Sequence, residues 1–263
     1  MFGQALSATL AAFAAPAFAI VVCLSVACLG LSKSGFAGIG FLATPLLALV
    51  VPPVQAAAIL LPIMLLQDLI SAYAYRHTWD AWNVKVTVSG AVLGVGVAWL
   101  VAASFSDALV RLIVGLIALV FTLNHWFGRA PAARGDRPPA AQGVLWGAVS
   151  GFTGTLANAG GPPFLIHLLP QRLEKLMFVG TMAVYFVALN SIKLVPFFAL
   201  GQFSPENLAT SAVLLPLAVA TNFIGLWLVR RTPAELFFKL TYVLVLLIAL
   251  GLIWQGTRAI LAA

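Results

Sequence analysis

The sequence predicts an all-α integral membrane protein, from three features. Of 263 residues, 62% are hydrophobic and 8% charged, where a soluble domain is about one quarter charged. The apolar residues fall into separate segments, most of them long enough for a crossing of about 20 residues. The ten-residue alternation of a transmembrane barrel is missing, so spans exposed to lipid must be helices.

In chain order, apolar segments cover about 11–31, 36–51, 54–76, 84–104 and 107–127, then 142–156, 161–170, 175–200, 208–229 and 233–255. Residues 11–31 end their first half in APAFA, which looks like a cleavage site. No Lys or Arg precedes it, whereas a signal peptide carries a basic n-region; the segment reads as a retained first helix. The Arg- and Pro-rich stretch 128–140 (GRAPAARGDRPPA) is a surface loop between two halves, giving repeats over 1–127 and 141–263.

The halves share an ordered set of motifs. GFAG at Gly35–Gly38 returns as GFTG at Gly151–Gly154, and PLLALVVP (Pro45–Pro52) as PFLIHLLP (Pro163–Pro170). WLV at Trp99–Val101 returns at Trp227–Val229, and the pair Asp107 and Arg111 returns as Glu235 and Lys239. Basic residues gather at Lys33, Arg76 and Lys85, the central linker, Arg172 and Lys175, and Arg230 and Arg231. The intervening connections at 52–53, 157–160 and 200–206 carry none. The positive-inside rule then makes the linker cytoplasmic and puts equivalent loops on opposite sides, an inverted repeat. The segment 161–170 rises only about 15 Å, half a bilayer core. It and 142–156 together cross twice or dip and return, for eight to ten membrane segments in all.

Each half has one polar, glycine-rich interruption: Leu31–Pro45 and Val149–Pro163. Gly160–Gly161–Pro162–Pro163 reads as a break followed by a new helix start, because proline suits a first turn. Non-helical backbone at membrane depth is tolerated only where it is buried or lines a cavity. A half-helix starting there aims free amides inward, which suits an anion, and paired breaks build the substrate site of many secondary transporters. The candidate binding residues are Lys33, Ser34, Gly35, Gly38 and Thr44 in the first break. In the second they are Gly151, Thr153, Gly154, Thr155, Asn158, Gly160, Gly161 and His167, with Asn190 further on.

Several residues keep two readings. Lys33 either marks the cytoplasmic side or attracts substrate. Asp68 lies well inside 54–76, where a carboxylate is costly and functional; it titrates in proton coupling or pairs with a base such as Lys33. His167 is either a satisfied core residue, a ligand or a proton carrier. The glycines of GAVLG (Gly90–Gly94) and GAVSG (Gly147–Gly151) fit close helix packing, and Cys23 and Cys28 read as small packing residues.

Other classes are excluded by pattern. The net charge of +7 is scattered singly or in pairs, unlike a nucleic-acid surface. There is no phosphate loop, no HExxH and no dinucleotide fingerprint, and Ser150 with His167 supplies no oxyanion architecture. No enzyme, cofactor or metal site is expected; the partners are a small anion and the lipid bilayer, with a homodimer left open.

The duplicated GF-x-G breaks, the proline-rich helix entry, the Arg-rich linker, the WLV pair and the acid–base helix starts together resemble the sulfite exporter TauE/SafE family, also called the 4-toluene sulfonate uptake permease group. The resemblance runs from about Cys23 to Trp254. It implies secondary transport of small sulfur anions such as sulfite, sulfonates or sulfoacetate at a bacterial inner membrane. A channel, or an assembly or export factor for another small molecule, is the alternative.

Overall fold

The computed structural model describes residues 2–36, 40, 43–51, 53–101, 106–127 and 137–261. Gly38 and most of the central linker, with Arg129 and Arg134, lie outside the described residues. Every regular element among those described is a helix.

The first half holds α1 (Phe2–Ala12), α2 (Pro16–Lys33), α3 (Ala43–Leu47), α4 (Pro53–Ala74), α5 (Ala81–Val101) and α6 (Asp107–Phe127). The second holds α7 (Ala140–Ala157), α8 (Gly161–Leu168), α9 (Lys175–Ala199), α10 (Pro205–Arg231) and α11 (Ala234–Leu261). Among the described residues, six helices are long and apolar enough to cross a membrane: α2, most of α4, α5, α9, α10 and α11. The chain is a multi-pass membrane protein.

Two expected segments are corrected. Residues 11–31 do not form one helix, because α1 stops at Ala12 and α2 starts at Pro16. A proline inside a helix removes a hydrogen bond and clashes with the preceding turn, but it is at home in the first turn. Phe13 and Phe18 pack edge to face across the joint, 5.5 Å between centroids. In 36–51 the only α-helix among the described residues is the five-residue α3, too short to span.

Small residues set the helix contacts. A Cβ on Gly90 would meet Val144 and Ala148, and one on Gly94 would meet Ala148 and Phe152. Gly147 lies equally close to Thr87, and Gly151 to Ala91. These glycines are therefore packing residues, and their register makes α5 and α7 parallel. Likewise Gly30 abuts Thr221 and Gly225 abuts Ser34, so α2 and α10 are parallel. Hydrogen bonds Ser211–Ile59, Gln67–Ala218 and Asn222–Ser71 run α4 alongside α10 in the same direction. By contrast Asp68 meets Asn190 and Tyr75 meets Gly180, so α4 and α9 are antiparallel. Gly115 against Ile253 and Gly256 against Leu112 make α6 and α11 antiparallel too.

Helix ends follow local chemistry. Ser204 caps α10 by accepting from the Asn207 amide at 3.3 Å, as N-cap serines do. At the other end of α10, Lys175 Nζ donates to the carbonyls of Val229 (3.0 Å) and Thr232 (2.6 Å). That satisfies carbonyls which the helix itself leaves open.

Candidate functional site

The second break forms as its sequence implies. Asn158 ends α7 in the left-handed region, with φ 51° and ψ 27°, which Asn tolerates better than most residues. The next amide, Ala159 N–H, returns to Thr153 O at 3.1 Å. Ser150 Oγ donates to Gly160 O at 2.6 Å, fixing the turn. Gly160 leaves no room for a Cβ, which would sit 2.8 Å from Ser150 O. Then α8 starts at Gly161 with proline in its first turn. It folds back along α7: Gly160 lies by Ser150 and His167 by Gly143. The helix is anchored by Phe164, stacked on Tyr185 with centroids 3.9 Å apart and planes 6° apart.

In the first break Gly35 has φ +135°, a conformation open to glycine. Added bulk there would strike Val179. The break follows directly on Lys33 at the end of α2.

A cavity lies where the two breaks approach. Its volume is about 100 Å³, counted as room for the centres of water-sized spheres. One water needs about 10–15 Å³ on that measure, so it has room for several waters or a small ion. Lys33, Gly35, Asp68, Gly154, Asn158, Gly160, Gly161 and Asn190 line it, as does Lys193. The rest of the wall is largely apolar, including Leu29, Met64, Phe186 and Ile248.

Lys33 Nζ lies 3.0 Å from both Asp68 oxygens and 4.6 Å from the centroid of the Phe186 ring. Asn190 Nδ2 donates to Asp68 Oδ2 at 2.6 Å. One helical turn from Asn190, Lys193 Nζ donates to Asn158 Oδ1 at 2.9 Å, and Asn158 Nδ2 donates to Thr44 Oγ1 at 3.2 Å. Asp68 is 1% exposed and Lys193 2%. Among the described residues, the hydrogen-bond partner of Lys193 is a neutral amide and no carboxylate lies within ion-pair distance. Buried charges are ordinarily paired; with both lysines protonated and the carboxylate ionised, the site carries one positive charge in excess.

The other candidates sit elsewhere. Ser34, Thr153 and Thr155 donate to carbonyls four residues back, those of Gly30, Val149 and Gly151; Ser34 also donates to Asn222 O. Gly151 packs on Ala91. Thr44 reaches the site only through Asn158. His167 is buried away from the cavity wall, its Nε2 2.8 Å from Asn83 Oδ1 and 3.3 Å from Gln171 Nε2. Asp68 and Lys33 do pair.

Two contributors were not among the candidates. Phe186 carries no signal beyond an apolar residue in an apolar helix. Lys193 did carry one, since an ionisable residue inside a spanning helix marks function by default. The α8 amides contribute less than expected, because Pro162 and Pro163 have no N–H to offer.

No curated protein and no solved structure matches the chain. The model of the sulfite exporter TauE/SafE family matches residues 6–252, nearly the whole of the chain, which belongs to that family of membrane transporters.

Proposed function

We propose that the protein is a secondary transporter, not an enzyme, that exports small sulfur-containing anions such as sulfite, sulfonates or sulfoacetate by alternating access. The observation that carries this reading is the cavity between the breaks, lined by two bases, Lys33 and Lys193, and one acid, Asp68. The anion replaces Asn158 as the partner of Lys193, with Gly160 and Gly161 letting it approach the backbone closely. Asn190 and Asn158 supply neutral donors.

Alternating access needs two halves that can rock about the site. The helix directions support an inverted repeat: α4 opposes α9, α6 opposes α11, and the parallel pair α2 with α10 has its mate in α7 with α5. The basic residues at Arg76, Arg137, Arg172, Arg230 and Arg231 support a cytoplasmic linker in a bacterial inner membrane. Cysteines introduced at Ala133 and Gln202 are expected to label from opposite sides; labelling from one side contradicts the topology.

Counterflow of a labelled sulfonate in proteoliposomes tests the function. Saturable, counterflow-capable flux in the wild type and its loss in Asn158→Ala and Gly161→Leu is the expected result. Intact flux in both folded variants rejects the site, and an ohmic current in place of counterflow rejects the carrier.

A further inference from the structure

The ion pair at the cavity has an asymmetry the anion site alone does not require. Asp68 Oδ2 accepts from both Lys33 and Asn190. Its Oδ1 is fully buried and also 3.0 Å from Lys33 Nζ, yet accepts no hydrogen bond. One oxygen is thus held and the other has open capacity, at a carboxyl lining the cavity that also holds Lys193. Among the charged groups around Asp68, Lys33 comes from α2 and Lys193 from α9. No ionisable side chain comes from α3, and the charged residues of α10, namely Glu206, Arg230 and Arg231, sit at its two ends.

We infer that Asp68 is a proton site that sets the charge the cavity accepts: a monoanion enters with Asp68 ionised, and a dianion enters together with one proton taken up at Asp68 Oδ1. The inference rests on the anion-transport reading and extends it to a co-substrate. The balance is simple. With Asp68 ionised, Lys33, Asp68 and Lys193 sum to +1, which one monoanion neutralises. A dianion would leave −1 in a buried site, a costly state. A proton from bulk water on Asp68 raises the sum to +2 and restores neutrality. It also releases Lys33 from its partner, so both ammonium groups face the dianion, and Asn190 still bonds Oδ2.

Proton uptake during binding tests this with probes of fixed charge, methanesulfonate as a monoanion and sulfate as a dianion, kept between about pH 5 and about pH 6.5 so that both lysines stay protonated. Purified protein in nanodiscs is titrated with each by calorimetry in buffers of different ionisation heat. The expected result is one proton taken up per sulfate and none per methanesulfonate. Sulfate affinity should fall about tenfold per pH unit while methanesulfonate affinity stays flat. Asp68→Asn fixes the sum at +2, so sulfate binding should lose its proton uptake and its pH dependence. Sulfate bound without proton uptake by the wild type overturns the inference and leaves the anion site standing, as does uptake that persists in Asp68→Asn. Binding of methanesulfonate alone also overturns it. Failure of both anions to bind folded wild type removes the anion-site reading, and the inference with it. The wild-type measurement decides even where the variant does not fold.

Discussion

Helices α4 and α9 meet at the cavity as near mates with different chemistry. The same 122 positions separate Pro53 from Lys175 at their starts, Asp68 from Asn190, and Ser71 from Lys193. On α4 the inward pair, one turn apart, is an acid and a hydroxyl; on α9 it is an amide and a base. Asp68 and Asn190 touch across the interface, while Ser71 turns to Asn222 on α10 and Lys193 to Asn158 at the second break. The two helices therefore share a spacing but not their charges. The first half carries a neutralised pair and the second an ammonium with no acid of its own, and the excess charge arises from that difference.

Removing the acid from α4 should have the largest effect. Asp68→Ala leaves the half-buried Lys33 and the buried Lys193 without an acid, and breaking a buried pair from one side costs about 3–5 kcal/mol. Thermal unfolding in detergent checks this; a shift no larger than that of a surface variant would mean the pair is hydrated and the contrast between the helices empty.

Filling the space between the helices comes next. A Cβ on Gly161 meets nothing within 4 Å, so Gly161→Leu should fold with its stability within about 0.5 kcal/mol of wild type while flux falls to background. Gly147→Leu is the contrasting control. Its side chain would meet the Thr87 backbone, and it should lose on the order of 3 kcal/mol. Equal stability of the two would show that the glycines are not divided between cavity and packing.

Giving Lys193 an acid, as Lys33 has, should have a smaller effect. Asn158→Asp puts a carboxylate where Lys193 donates to a neutral amide, the site sum falls to zero, and anion flux should drop about tenfold, or about 1.4 kcal/mol. Undiminished flux would show that the excess charge does not recruit the anion.

His167 lies outside the contrast and should scarcely move it. His167→Gln loses a bond to Asn83, costing about 1 kcal/mol of stability, with flux within about twofold of wild type. A collapse of flux at unchanged stability would return His167 to the transport path.

These residues show how far the sequence could be read. The helices, the break after Asn158 and the family were legible, because lipid forces long apolar runs and tolerates broken backbone only around cavities. The turn at Phe13–Ala15 was hidden by an unbroken apolar run, although Pro16 marked the helix start. Within the site, Asp68 stood out as a charge at membrane depth and Lys33 as the one cation of the first break. Ser34, Thr153 and Thr155 were chosen for polarity, yet a hydroxyl in a helix can satisfy itself on the carbonyl four residues back, so polarity alone does not aim a side chain at a cavity. His167 finds its partner 84 positions away at Asn83, a pairing that spacing does not reveal. Lys193 carries the same signal as Asp68, an ionisable residue inside a spanning helix, in a polar cluster with Asn190 and Ser191.

The most direct test of the account is Lys193→Met, measured as saturable sulfonate counterflow in proteoliposomes alongside thermal stability. The substitution removes the unneutralised charge and keeps the volume. A buried charge with no acid partner costs stability, so the protein should melt at or above the wild-type temperature while flux falls at least about tenfold. Wild-type flux from a folded Lys193→Met protein would contradict the claim that the excess positive charge between the two breaks holds the anion.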